Sequence, residues 1–403
     1  MVYLKKRLDR KLRCFRLLLH QSRYFMLKIL HLVSYSLWSG PLPGVVGLVR
    51  AQKKLGHDVC IGYDTLRGAF NPYEEAAAPY LQSETVLPCV LSAKSTPVQI
   101  FKDVWGLRRW VLEHAPDVVH VHLSHDHALA SFALLGLPVV LIRTVHASRS
   151  FSGRLGQDLW MSGVSGVVLR SERDLARCKA RYRWMPEKKM RVIEGGVDVE
   201  FFRPLPEEVR RNVREGWGVS EEVCLLGHVA LMVGRGQEEL IEAMALLPEK
   251  IPVHVVLVGR GEREKLLDHM IAERGLGHRV KRVGYQQGQD LVRTYAGLDA
   301  VFVAQAGNDG SVRAMLEGMA CAKPVLAVDA DGLSEWVDSS RGHLTRRTPA
   351  DIALALEKMC LDPEKLKKGQ ASWEYVHAQR TLDVEAQKTV DWYEFCLGKA
   401  FDA

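Results

Sequence analysis

The sequence predicts an α/β protein built from two Rossmann-like domains, and three observations carry that expectation. A chain of 403 residues is longer than one ordinary core can organise. Short, β-branched apolar runs alternate with helical patterns along most of its length, which is the rhythm of parallel βαβ units. One stretch, residues 300–328, compresses a complete unit. An apolar run, Ala300–Ala304, leads to the turn Gly307-Asn308-Asp309-Gly310-Ser311, with Ser311 or Asp309 as the expected N-cap. A helical pattern from Val312 to Ala322 follows, then a Lys323-Pro324 stop and a second apolar run, Val325–Val328.

Before the first strand comes a basic leader. Residues 1–25 hold eight basic side chains (Lys5, Lys6, Arg7, Arg10, Lys11, Arg13, Arg16 and Arg23) and one acid, Asp9. Leu4, Leu8, Leu12, Phe15, Leu18 and Leu19 fall between the charges at helical steps, the pattern of a helix that lies on an anionic membrane surface. The apolar stretch Leu17–Leu19 is too short for a signal peptide, and no small-residue cleavage site follows. The competing reading takes Met26 as the native start. This leader carries the whole net charge of +7, leaving 47 basic against 47 acidic residues in the body. A neutral body argues against a nucleic-acid partner. No apolar run approaches the ~18–20 residues of a membrane span. Eight cysteines scattered singly, without zinc or thioredoxin spacing, read as reduced thiols in a cytoplasmic protein.

The first half opens with a buried strand, Leu27–Val33, and a loop, Trp38–Gly44, that carries Gly40 and Gly44. A helix over Val45–Lys54 and a strand over His57–Ile61 complete a Rossmann opening. The loop lacks a G-x-G-x-x-G pattern, which counts against a nicotinamide cofactor. An amphipathic helix, Val98–His114, precedes a segment with His120, His122, His125, Asp126 and His127 in eight residues. On a strand His120 and His122 share a face. A zinc site also wants a third fixed ligand, and the family resemblance set out below implies that this segment lines a cleft without a metal. The strand Leu137–Leu141 runs out at Arg143-Thr144-Val145-His146.

The second half continues the alternation. The strand Val223–Val229 is followed by Gly234-Arg235-Gly236-Gln237 and a helix over Glu238–Leu247. Strand Val253–Val258 ends in Gly259-Arg260-Gly261, and Arg282-Val283-Gly284-Tyr285 closes the next unit. In the central unit the turn before the helix offers backbone N–H groups and the positive end of a helix dipole, where phosphate binds. Asp309 and Glu317, eight apart, put one carboxylate at the helix mouth and one two turns in. The tail, Lys365–Lys399, is helical and carries Trp373, Tyr375, Trp392, Tyr393 and Phe395.

An acid, seven residues, and then Glu317-Gly318-Met319-Ala320-Cys321-Ala322-Lys323-Pro324-Val325 resembles the signature of the retaining GT-B glycosyltransferases of family 4, the glycosyl transferases group 1. That signature reads acid-x7-Glu within "E-A-M-A-x-G-x-P-V", with Asp309 here in place of the usual Glu. The wording Asp309-Gly310-Ser311-Val312-Arg313-Ala314 is similar to a branch found among bacterial lipopolysaccharide and cell-surface glycosyltransferases. Resemblance also covers Gly195-Gly196-Val197-Asp198 through Pro204, which is similar to the family's interdomain hinge.

The resemblance implies a GT-B fold, two Rossmann-like domains facing a cleft, with a C-terminal helix crossing back to the first domain. The boundaries expected are a leader at 1–25, an acceptor-side domain at 26–204, a nucleotide-sugar domain at 205–375 and a crossover helix at 376–403. It implies metal-independent transfer of a sugar, with retention, from a nucleotide-sugar to a hydroxyl of a saccharide or lipid-linked acceptor. No cofactor is required, and the donor base (UDP-, GDP- or ADP-sugar) stays open. The setting implied is lipopolysaccharide or surface-polysaccharide synthesis in the cytoplasm, peripheral on the inner face of the membrane.

Carried over residue by residue, His146 contacts the transferred sugar, Asp309 its hydroxyls, and Glu317 the ribose. Backbone N–H groups of Gly310, Ser311 and Val312, with Arg235, Arg260 and Arg313, hold the diphosphate. Val283 and Tyr285 meet the base, while Gly40 and Gly44 let backbone approach the donor. The family's cation at the end of the first strand of this domain is missing, since Ala230 and Leu231 stand there. That departure, with Asp309 for Glu, supports the rival reading of a non-catalytic sugar-nucleotide-binding or scaffold protein. A sugar-nucleotide epimerase of the same architecture is disfavoured, because its acid and histidine set is not apparent.

Overall fold

A computed structural model describes residues 26–35, 41–64, 87, 89–146, 151, 157–304, 309–330 and 332–401. The basic leader and Gly40 lie outside the described residues, as do the side chains of Asp309, Gly310 and Ser311. The chain divides into two compact units, one ending at Gly195 and resuming at Leu382, the other spanning Gly196–Thr381.

The first unit alternates strands and helices. In order these are β1 (Lys28–Val33), α1 (Leu42–Lys54), β2 (Asp58–Tyr63), α2 (Pro97–His114), β3 (Val118–Val121), α3 (Ser124–Ala133), β4 (Val140–Val145), α4 (Gln157–Ser162), β5 (Gly166–Leu169), α5 (Glu172–Arg181) and β6 (Met190–Val192). Every pairing in its sheet, ordered β2-β1-β3-β4-β5-β6, is parallel. Such strands are buried on both faces, so β3, β4 and β5 read as near-continuous apolar runs and are buried throughout. One face is covered by a core drawn largely from α2, α3 and α5, the other by α1 and the final helix.

Two local expectations shift here. Helix α1 begins at Leu42, not Val45, because Pro43 fits the first turn, where its missing N–H is not needed. Gly44 is therefore helical, and a Cβ there would meet no atom within 4 Å. Strand β4 starts at Val140, three residues later than expected, after Pro138, which has no N–H to give a ladder.

The second unit contains α6 (Glu207–Gly216), β7 (Cys224–Val229), α7 (Gln237–Leu246), β8 (Val253–Val258), α8 (Glu264–Glu273), β9 (Val280–Gly284), α9 (Gly288–Gly297), β10 (Ala300–Val303), α10 (Asp309–Ala320), β11 (Val325–Val328), β12 (Gly342–Thr345), α11 (Pro349–Leu361) and α12 (Lys365–Gln379). Its parallel sheet runs β12-β11-β10-β7-β8-β9. Strand order reverses between β7 and β10, the place where an open α/β sheet leaves a crevice at its carboxyl ends. Helix α10 starts at Asp309, three residues before the expected first helical residue, so Ser311 is in the helix and does not cap it.

The expected single tail helix is two. It breaks at Arg380-Thr381, where the Val197 N–H donates to the Arg380 carbonyl at 2.8 Å and Val197 bridges to Thr381. Trp373 and Tyr375 therefore belong to α12 of the second unit. Trp392, Tyr393 and Phe395 lie on α13 (Leu382–Phe401), the C-terminal helix that crosses back to the first unit. Two glycines admit it: a Cβ on Gly47 would lie 2.9 Å from Leu382 Cδ1, and one on Gly166 2.8 Å from Trp392 Nε1.

In the signature itself, Gly318 stands where the family pattern has Ala and Ala322 where it has Gly. A Cβ on Gly318 would come within 2.6 Å of Val301 Cγ1. Ala322 holds φ at +58°, a conformation that costs an alanine about 1 kcal/mol or more. Restoring Ala322→Gly should raise unfolding stability by roughly 0.5–1 kcal/mol. Gly318→Ala should lower it by about 1–3 kcal/mol through overpacking. Urea titrations of the two variants read both signs.

Candidate functional site

In the second unit the carboxyl ends of β7 and β10 bring two helix starts together. Residues 230–236 link β7 to α7, and Gly236, at φ +98°, is the N-cap of α7. A Cβ on Gly236 would lie 2.2 Å from the Cβ of Ala304, which follows β10. The loop carrying Arg235 thus abuts the chain that leads to α10. Gln237 fixes this loop: its Oε1 accepts from the Arg235 N–H at 2.7 Å, and its Nε2 donates to the Leu231 carbonyl at 3.0 Å. The first turn of α10, beginning at Asp309, supplies N–H groups without helical acceptors. Arg235 is half-buried between two left-handed glycines, Gly234 and Gly236.

Ala230 and Leu231, where the resemblance expects a cation, are committed to backbone packing. The Ala230 N–H donates to Val258 O at 3.0 Å, and a Cβ on Gly259 would lie 2.0 Å from the Ala230 carbonyl oxygen. Leu231 is exposed.

Glu317 lies two turns into α10 and is buried. The Tyr295 hydroxyl lies 2.9 Å from its Oε2 and 2.9 Å from the Ala314 carbonyl, and Arg313 Nε is 3.3 Å from Oε1. Burial pushes the Glu317 carboxyl above its ordinary range, while Arg313 and the Tyr295 hydrogen bond act in the other direction. Arg313, expected on the diphosphate, therefore already faces a carboxylate of its own helix. Val312 packs at the edge of the core below the sheet.

At the ends of β8 and β9, Arg260 lies over the Tyr285 ring with its guanidinium carbon 4.5 Å from the centroid. Tyr285 is partly exposed, and the Val283 carbonyl accepts from Gln286 Nε2 at 2.8 Å. These residues form one exposed aromatic-cation platform beside the loop from β8.

In the first unit, His146 ends β4 and is buried. Its Nε2 lies 2.9 Å from His122 Nδ1; His122 Nε2 lies 2.9 Å from His31 Nδ1; His31 Nε2 lies 2.8 Å from Gln52 Oε1. Gln52 Nε2 donates to the Tyr393 hydroxyl at 3.3 Å, which also lies 2.5 Å from His120 Nδ1, and His120 Nε2 reaches Thr144 Oγ1 at 2.6 Å. His120 and His122 share a face, with ring centroids 4.3 Å apart. They do not line an open surface, as the sequence suggested, because both are fully buried.

Burial pushes the His31 imidazole down to about 4 and holds His120 and His122 well below the usual range, so these three rings are neutral. With Gln52 Oε1 as acceptor, His31 donates to it from Nε2, and His31 Nδ1 then accepts from His122 Nε2. Nitrogen atoms of His31, His120 and His122 lie within 4.8 Å of one another, close enough to offer a metal three ligands. Both nitrogens of each of these rings already have hydrogen-bond partners, so a metal there would have to displace them.

Sequence reasoning missed Tyr295, Gln237, Gln52, Tyr393 and His31. A histidine within the apolar run Lys28–Val33 was a usable signal for His31. Nothing local marks the others, whose partners lie 19 to 341 residues away for Tyr295, Gln52 and Tyr393.

Comparison with known proteins agrees with this geometry. The family described as "Glycosyl transferases group 1" matches residues 216–371, and "Glycosyltransferase Family 4" matches residues 44–201. EpsD of Bacillus subtilis, named as a glycosyltransferase, is 31% identical over 280 residues, 65% of this chain and 72% of its own length. A D-inositol 3-phosphate glycosyltransferase of Corynebacterium urealyticum is 27% identical, covering 84% of this chain and 87% of its own. Among solved structures, Anabaena HepE in complex with UDP and glucose superposes with a TM-score of 0.75 at 18% identity, covering 91% of this chain and 99% of that one. WaaG, a glycosyltransferase involved in lipopolysaccharide biosynthesis, superposes at 0.65 and 15% identity over 91% of this chain and 99% of its own. The chain therefore belongs to the GT-B glycosyltransferases of family 4, the glycosyl transferases group 1.

Proposed function

We propose that this glycosyltransferase moves a sugar from a nucleotide-sugar donor to a hydroxyl of a saccharide or lipid-linked acceptor, with retention of anomeric configuration and without a metal. The observation that carries the reading is the contact of Gly236 with Ala304, which sets the Arg235 loop against the chain entering α10. A diphosphate over the amides of Gly310, Ser311 and Val312 would meet both the dipole of α10 and the Arg235 guanidinium. As the glycosidic bond breaks, negative charge grows on the leaving diphosphate, and these groups stabilise it there. Arg260 and Tyr285 are the platform for the base. Glu317, braced by Tyr295 and Arg313, accepts from the ribose hydroxyls, and Asp309 from those of the sugar.

His146 is the contact to the transferred sugar from the first unit. No side chain need attack the sugar: in a front-face displacement the departing phosphate takes the acceptor proton. Surface polysaccharide or lipopolysaccharide is the proposed setting, supported by the signature wording and by the fold neighbour WaaG, which is involved in lipopolysaccharide biosynthesis. Ala230 and Leu231, in place of a cation, favour the second reading, a binder with little turnover.

A panel of nucleotide-sugars scored for donor hydrolysis separates the two readings, and tight binding without turnover would select the second. Arg235→Ala should lower kcat/KM by about 10²-fold. Glu317→Gln should weaken donor binding roughly tenfold. Because burial raises the Glu317 pKa, wild-type donor affinity should fall as pH drops through a value above the ordinary carboxylate range. That acid limb should vanish in Glu317→Gln.

A further inference from the structure

Two histidines of the segment His120–His127, His125 and His127, stand outside the hydrogen-bond row described above. His127, on α3, is buried, and its Nε2 has no hydrogen-bond partner. It shares a pocket in the first unit with Arg143 of β4, Tyr182 just after α5, Ser124, Trp160 and Phe151. Arg143 is 3% exposed and Tyr182 1% exposed, and Arg143 Nη1 and the Tyr182 hydroxyl also lack partners. Three polar groups without a protein partner line this one pocket, and each would cost about 1–3 kcal/mol if left dry.

The charge in this pocket has one sign. Burial lowers the Arg143 pKa only to about 10, so the guanidinium remains charged at neutral pH. Asp126 acts on it through space. The Asp126 carboxylate is occupied elsewhere, accepting from the N–H groups of His122 and Leu123 and from the Ser34 hydroxyl. His127 is neutral, pushed down to about 3 by burial, and its ring faces the Trp160 carbonyl. With Nδ1 donating to that carbonyl, Nε2 is an acceptor. The pocket therefore offers a fixed cation, a phenolic hydroxyl and an imidazole acceptor, walled by two aromatic rings.

We propose that this pocket binds an anionic oxygen group of the acceptor, a phosphate or a carboxylate, with Arg143 as its cation, Tyr182 as a second donor and His127 taking a hydroxyl beside it. The inference rests on the glycosyltransferase reading and deepens it: the acceptor is acidic. A guanidinium fork matches either oxyanion.

The test is thermal unfolding of the full chain with inorganic phosphate or with glucuronate. In wild type one or both should raise the melting temperature, and the stronger of the two names the acidic group. Arg143→Met should lose at least about tenfold in affinity for that anion, read as the shift from its own melting temperature without anion. Tyr182→Phe, which deletes only the unsatisfied hydroxyl, should weaken binding roughly threefold. Arg235→Ala should keep the protection, which separates this pocket from the donor diphosphate site. If neither anion protects wild type, or if Arg143→Met is protected as well as wild type, the proposal is wrong. Donor turnover lost in Arg235→Ala while neither anion protects would leave the glycosyltransferase reading standing and remove only this one.

Discussion

A helix presents unpaired N–H groups at its amino end only, so a protein that holds diphosphate this way must bring such ends to an opening in the sheet. In the second unit the reversal of strand order between β7 and β10 does so. Helices α7 and α10 both leave the carboxyl edge of the sheet there, and Gly236 lets their loops touch at Ala304. A side chain at position 236 would push the Arg235 loop away from the start of α10. The position of the cation, the orientation of the dipole and the depth of Glu317 in α10 all depend on that close approach.

The two units use buried polarity differently. In the second, Tyr295 and Arg313 hold one carboxylate, keeping an acceptor fixed two turns inside a helix. In the first, a row of buried imidazoles from β1 and from the ends of β3 and β4 is anchored by Gln52 and Tyr393, from α1 and α13. The final helix is therefore more than a cover for the first sheet. Tyr393 joins the hydrogen-bond chain that ends on His146, which explains why a tail distant in sequence must return to this unit. On the opposite face of β4, Arg143 lies in a pocket whose polar groups remain unsatisfied.

Much of this was legible in the sequence. The apolar runs located β1, β7, β8, β10 and β11 because parallel strands buried on both faces show no alternation to confuse them. The signature placed Asp309 and Glu317 at opposite ends of one helix. Boundaries are less legible: Pro43 reads as loop although it lies in the first turn of α1, and the break at Arg380-Thr381 has no proline or glycine to mark it. The histidine row could not be read at all, since His31, Gln52, His122, His146 and Tyr393 become neighbours only when three strands and two helices assemble. The roles of the left-handed Ala322 and of Gly318 also emerge only from packing.

The most direct measurement follows the backbone amides of Gly310, Ser311 and Val312 by nuclear magnetic resonance while UDP is titrated into the protein, with the GDP and ADP forms as comparisons. The account predicts that with the matching nucleotide these three amides move furthest, in step with Arg235. Saturation by a tightly bound nucleotide that leaves all three unmoved, with the largest shifts elsewhere, would contradict it.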